Sequence, residues 1–315
     1  MSSLIVQSNR LTSVAPHPNA DRLELAIIGG WQTVVEKGKF QAGQLVTFIP
    51  PDTVLPKELS DRYGVTKYLS DGRVRAARLR GEPSYGFVVP AEGEEGEDVA
   101  DKLGITKYRA PDPVEVGAVP SHPYFFEFTD IENLRNFPDV LFPGEIVQVT
   151  EKLNGTNCRI GIVKTPDGDL RVSGSRQLQF DPAAGTLYTL PWNDPELTGI
   201  IETLARSAKQ MVIVSGEIIG TAKNMRYGLS GTRPFYAFDC MIDGRYLNQS
   251  EFEILFHNIP RAPVIDKNVA FSMEKIAELS KGKSLIPGAE HIREGVVVRP
   301  IQERRDPKTG RVILK

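Results

Sequence analysis

Turn chemistry cuts the first hundred residues of this chain into apolar runs too short for anything but strands. The runs span 23–28, 30–35, 45–48, 74–79 and 86–89, and between them stand His17-Pro18-Asn19, Gly29-Gly30, Pro50-Pro51 and Asp71-Gly72. Runs of this length bounded by Gly, Pro, Asn and Asp read as strands, and so many in so little chain predict a small β-barrel. An acidic, glycine-rich stretch, 92–98, reads as a solvated turn rather than a binding site. A short helix through Leu103 is expected after it.

From Arg109 to Pro123 the chain carries Pro111, Pro113, Pro120 and Pro123 without periodicity, the composition of a stiff connector. We therefore expect a barrel domain over 1–108, a linker over 109–123 and a larger domain over 124–315. In that second part strands (146–151, 157–163, 170–175, 211–217, 235–242, 295–299, 311–315) do not alternate regularly with helices (196–208, 249–257, 273–281). That order predicts an α+β domain of antiparallel sheets with flanking helices, not a doubly wound parallel sheet.

Composition narrows the class of function. With 40% hydrophobic and 25% charged residues in 315, the chain is ordinarily globular and long enough for two domains. No apolar run reaches membrane-spanning length and the N-terminus has no secretory pattern, so a cytoplasmic protein without membrane partner is expected. Cys158 and Cys240 lie apart in apolar stretches, which disfavours a disulfide scaffold or a structural zinc site. The net charge of -2 means that any polyanion site must be a local patch. Gly282-Lys283-Ser284 imitates the end of a phosphate-binding loop, but Ala277 stands where that motif needs glycine. His17, His122, His257 and His291 lack acid or cysteine partners at a useful spacing, so structural roles are expected.

One segment carries chemistry. In Glu151-Lys152-Leu153-Asn154-Gly155-Thr156-Asn157 a lysine ends an apolar strand beside a glycine, and a second strand follows. A lysine so placed can face a pocket, while Gly155 lets the backbone approach a ligand closely. Four further segments fit one reaction: a strand ending at Glu217, a strand bearing Phe238 and Asp239, a strand opening at Glu294, and one ending in Lys315. Together they offer a nucleophile, metal-binding acids, an aromatic platform and a phosphate clamp.

This order resembles the covalent nucleotidyltransferases, and Glu-Lys-Leu-Asn-Gly-Thr-Asn is particularly similar to the phage RNA ligase 2 family. Val14-Ala15-Pro16-His17-Pro18-Asn19-Ala20-Asp21 resembles the opening of tRNA-binding OB-fold domains, and an OB-fold ahead of an ATP-grasp-like ligase domain is similar to the Naegleria-type RNA ligases. The resemblance implies that Lys152 is adenylated by ATP, that Arg176 is the residue of motif Ia, and that Glu217, Asp239 and Glu294 hold Mg²⁺ or Mn²⁺. It implies that Phe238 stacks on adenine, that Lys315 meets the α-phosphate, and that Glu151, Leu153, Asn154, Gly155 and Asn157 line the nucleotide site. The chain departs from the pattern at Asn154, where many relatives have Asp. The pattern also continues past Lys315 to a second basic residue, so either the sequence is shortened there or that phosphate contact is missing.

The implied activity is an RNA ligase of RNA repair, a monomer joining 3′-hydroxyl and 5′-phosphate ends. A free lysine, with a pKa of about 10.4, is almost wholly charged at neutral pH, so the nucleophile needs desolvation or a nearby cation. In the barrel, Arg73, Arg75, Arg78 and Arg80 fall near period two and fit a strand face tracking a phosphate backbone as well as a plain solvated face. Each site residue also has a structural reading: Phe238 as strand core, Asp239 and Glu294 as strand caps, Arg176 as a surface arginine. A non-catalytic RNA-binding protein, or a relative of capping enzymes or DNA ligases, are the competing functions.

Overall fold

Antiparallel pairing builds nearly all of the protein. The computed structural model describes residues 4–108, 117–128, 131–222 and 225–315, and the chain divides into two units, Ser2–Asp112 and Pro113–Lys315. The expected linker lies largely on 109–116, outside the described residues.

In the first unit Leu23–Ile28 and Trp31–Glu36 meet through Gly29-Gly30, with Ile28 opposite Trp31. Both glycines have positive φ, 52° and 80°. A two-residue turn that matches strand twist needs left-handed backbone at both positions, which glycine adopts without steric cost. Ser13–Pro16 completes this sheet; Ser8–Arg10, Leu45–Ile49 and Phe87–Pro90 form a second. Inward residues of both, among them Ala26, Ile28, Val46, Phe48 and Val88, share a core. A further core gathers Val6, Ile49 and Val89 with Leu59 of the helix Lys57–Arg62.

Two expectations fail here. The strand expected over 74–79 pairs only across Ala77–Leu79, with Glu82–Ser84. Before it, Asp52 and Leu55 amides bond the carbonyls of Val74 and Gly72, so that stretch is tied elsewhere. After it, Arg80 and Gly81, with φ of 50° and 94°, turn the chain back. The helix expected through Leu103 is one hydrogen-bonded turn, Leu103 N–H to Val99 O at 3.0 Å, ended by Gly104 at φ 64°.

The second unit has a seven-stranded antiparallel sheet, in order Ala118–Val119, Gln179–Phe180, Gly168–Gly174, Gly155–Thr165, Met211–Ile219, Phe235–Ile242 and Arg245–Tyr246. A three-stranded sheet places Ile146–Glu151 between Val264–Ala270 and Val296–Pro300. The helix Pro195–Ser207 is capped by Asp194, whose carboxylate accepts the Glu196 and Leu197 amides at 3.0 and 3.1 Å. It buries Leu197, Ile201 and Ala205, one stripe at i, i+4, i+8. Those residues pack with Ile160, Val212, Val214 and Phe252 of the helix Gln249–Leu255, and with both cysteines. The expected strand over 311–315 pairs only at Gly310–Arg311, with Arg305–Asp306; Leu314 instead bonds back to Val298 at 2.8 and 2.9 Å.

Candidate active site

The site begins where the central strand of the small sheet ends. From Val147 to Glu151 every residue is buried, and Lys152 N–H still bonds Gly295 O at 3.0 Å. The chain then crosses to the large sheet through Leu153 and Asn154. The Asn154 amide donates to the hydroxyl of buried Tyr227 at 2.7 Å, and a Cβ on Gly155 would lie 2.2 Å from Ile218 O. Close approach to the neighbouring strand is therefore a reason in itself for glycine at 155.

The crossing delivers the Lys152 amine to two carboxylates. Lys152 Nζ donates to Glu294 Oε1 at 2.6 Å, with both side chains about 30% exposed (29% and 31%). Glu217 faces Asn157 across the strand pair. Burial pushes its carboxyl up to about 7, against the opposing pull of Lys152 and of the Gly155 amide. A partly exposed amine thus shares a small space with two acids that are themselves only partly exposed.

This group opens on a cleft of about 220 Å³ whose wall includes Glu151, Lys152, Leu153, Asn157, Arg176, Glu217, Phe238 and Lys315. Sequence reasoning missed Phe128, Arg299 and Ile313 in the same wall. The Phe128 and Phe238 rings lie 5.7 Å apart, inclined at 59°. Glu151 is buried; its Oε2 accepts the Leu285 amide at 2.7 Å, and its Oε1 has no partner among the described residues. Asn157 Oδ1 is likewise buried and unsatisfied. Buried polar atoms without partners are costly, and here both belong to residues of the cleft wall.

Asp239 does not join them. Phe238 is the extra residue of a β-bulge between the pairs Gly216 with Ala237 and Ser215 with Asp239, and bulges re-aim side chains. Asp239 is buried against Arg311, which spans both its oxygens, and near Arg299 at 3.5 Å. Although burial opposes the charge, Asp239 and Glu303 hold the Arg311 guanidinium above its usual pKa. Burial lowers Arg299 despite Asp239. Both Asp239 oxygens are therefore spent on a structural ion network, and the metal and nucleotide roles expected of it are corrected. Among the described residues no group of three or more His, Cys, Asp or Glu is arranged to hold a metal ion. The hard oxygens of Glu217, Glu294 and Asn157 suit a divalent ion that keeps part of its water shell.

In the other unit the four arginines do not share a strand face. Arg73 pairs with Asp52 at 2.6 Å and stacks 3.6 Å above the Tyr108 ring. Arg75, Arg78 and Arg80 are exposed around the hairpin turn. His17 is buried in the same unit.

Residues 145–315 match the family model described as RNA ligase, and residues 5–91 match an OB-fold domain. A mutant of Naegleria gruberi RNA ligase in apo form is similar with a TM-score of 0.75 at 23% identity, covering 99% of this chain and 95% of that one. Mutants of that ligase with AMP and Mn, and with ATP and Mn, have TM-scores of 0.75 and 0.73 at 23% identity, over 99% and 96% of the two chains. At such identity the likeness concerns the fold, an OB-fold barrel ahead of an antiparallel ligase domain. Nothing among curated proteins matches.

Proposed function

The chain belongs to the RNA ligase family, and from that premise we propose that it is ATP-dependent and joins RNA 3′-hydroxyl and 5′-phosphate ends through AMP bonded to Lys152. The observation that carries this is the Lys152 amine at the mouth of an aromatic-walled cleft, 2.6 Å from Glu294 and beside half-buried Glu217. In the first step the lone pair of Nζ attacks the α-phosphorus, a P–N bond forms, the bond to the β-phosphate bridge breaks, and pyrophosphate departs with that electron pair. The Nζ proton passes to Glu294 Oε1, already its hydrogen-bond partner. An RNA 5′-phosphate oxygen then displaces Lys152 from phosphorus. Finally a 3′-hydroxyl attacks the activated 5′-phosphate and AMP leaves.

Phe238, backed by Phe128, offers adenine a stacking face. The unpartnered Glu151 Oε1 suits the exocyclic amine of adenine and opposes the carbonyl of guanine. Arg176 and Lys315 bring positive charge to the phosphates, where catalysis is mostly positioning and electrostatics. Glu217 and Glu294 with Asn157 are the residues that would hold Mg²⁺ or Mn²⁺, which supplies charge stabilisation at the transferring phosphoryl group. Leu153 and Asn154 shape the turn that carries the amine. We infer a monomer of RNA repair in the cytoplasm; the two buried, unpaired cysteines suit a reducing compartment. Among the described residues no helix is long and apolar enough to cross a membrane.

Incubation with α-³²P-ATP tests the reading. Wild-type protein should carry acid-labile label that pyrophosphate removes, Lys152→Ala none, and α-³²P-GTP should label poorly. Label retained on Lys152→Ala would remove the nucleophile assignment.

A further inference from the structure

Arg159 is buried, 2% exposed, and its guanidinium is held by backbone oxygens rather than by a carboxylate. Nε donates to Ser175 O at 2.8 Å, and one terminal nitrogen donates to Phe126 O. The carbon between the nitrogens lies 4.1 Å from the centroid of the Phe125 ring, and the other terminal nitrogen has no partner among the described residues. Burial pulls the pKa down to about 10, against the smaller pulls of Tyr246, Cys158 and Glu127. A cation taken out of water costs stability unless its donors are used, and here they are used on two loops.

Both loops reach the cleft. Ser175 closes a turn, its amide bonding Leu178 O at 2.9 Å and its hydroxyl accepting the Gln177 and Leu178 amides at 3.3 and 3.0 Å. Arg176 stands inside that turn, and its carbonyl accepts the Phe128 amide at 3.0 Å. The turn and the segment Phe125–Phe128 are thus joined once directly and once through Arg159, and Arg176 and Phe128 both belong to the cleft wall. Asn157, in the same wall, precedes Arg159 by two residues on the strand Gly155–Thr165. By strand alternation the two side chains leave the same face, so Arg159 stands one step behind the wall. Gly174 lies opposite Arg159, and a Cβ there would come within 2.1 Å of Leu178 O and 2.7 Å of the Phe125 ring. The turn therefore sits tightly on this post.

Resting on the ATP-dependent reading above, we propose that Arg159 is a positioning residue of the first step: by tying Ser175 O to Phe126 O it fixes the turn that aims Arg176 at the phosphates of ATP. The role needs arginine. A planar guanidinium donates to two carbonyls in different directions at once, whereas a lysine ammonium on its flexible stem is a point charge that does not reproduce the fork. Arg159→Lys keeps the charge and loses the double tie, and so separates geometry from charge.

The test joins rapid-quench labelling of the full-length protein by α-³²P-ATP with amide hydrogen exchange measured without ATP. Arg159→Lys should slow labelling at saturating ATP by about tenfold while the final labelled fraction stays the same; a merely structural side chain would lower that fraction and leave the rate constant alone. Arg176→Ala should itself slow labelling, and R159K/R176A should be at most about twofold slower than Arg176→Ala, because residues acting as a unit are not additive. In Arg159→Lys the amides of Phe128 and Leu178 should exchange at least about tenfold faster, with those of the helix Pro195–Ser207 unmoved. The same loss from Arg159→Lys in both backgrounds, a normal rate constant with a reduced labelled fraction, or unaltered exchange at Phe128 and Leu178 would each overturn the proposal. The exchange needs no ATP, so a wild-type protein that takes no label counts against the ligase chemistry and is told apart from failure of the tie.

Discussion

At the residue scale the two acids Glu217 and Asp239 are of different physical types. Glu217 has a folded-state pKa of about 7 against an ordinary 4.5, so the fold prefers it protonated. The stability tied to that preference is complete below about 4.5 and is lost as pH rises through 7, in total about 3 kcal/mol at most. In metal-free protein Glu217→Gln should therefore gain on wild type more at pH 8 than at pH 5, as read by urea unfolding at both. Asp239 is the other type, a buried carboxyl whose two oxygens both accept from Arg311. Asp239→Ala takes the carboxylate from buried Arg299 and leaves Arg311 with Glu303, and should cost about 3–5 kcal/mol, seen as a fall in melting temperature. The sequence marked Lys152, Glu217 and Glu294, because their order along the chain is the order of one reaction, but it could not separate Phe238 from Asp239. The bulge that parts them depends on register against Ser215 and Gly216, which no local pattern records.

At the element scale the central piece is the crossing turn after Lys152. Tyr227 holds it by accepting the Asn154 amide, and does so from φ 54°, a left-handed conformation that a bulky residue adopts only when its surroundings impose it. Its ring stands 4.6 Å from that of His291, in the segment leading to Glu294, so one side chain joins the nucleophile's turn to the approach of its acid. Tyr227→Phe should strand the Asn154 amide, at about 1–3 kcal/mol, and slow lysine labelling by about tenfold with little change in the ATP concentration for half-maximal rate. Rapid-quench labelling checks this. The long strands were legible as largely apolar runs, and the helix Pro195–Ser207 by its buried stripe. Val264–Ala270 was not, since Asp266, Lys267 and Asn268 are exposed on it and interrupt the apolar run, as charged residues do on a sheet edge. The Ala77–Ser84 hairpin escaped notice because Arg80-Gly81 is a turn only if an arginine accepts positive φ.

At the scale of the whole molecule each unit closes its own core, one around Ala26, Val46 and Phe48, the other around Ile160, Leu197 and Val214. Every residue of the cleft wall belongs to Pro113–Lys315. A fragment of residues 113–315 should therefore still acquire label from α-³²P-ATP; a fragment that folds, by circular dichroism, but takes no label would show that the barrel contributes to the first step. The division into barrel and ligase parts was legible from strand pattern and prolines, whereas the net charge of -2 concealed the arginine-bearing hairpin. The two thiols carry a practical consequence. Cys158 and Cys240 are sealed in the interior, and burial pushes both well above the ordinary thiol pKa, so alkylating dyes have nothing native to react with while the protein is folded. A cysteine placed on either unit becomes a unique fluorophore handle in the wild-type background, and the distance between barrel and cleft can be followed by energy transfer as RNA is joined.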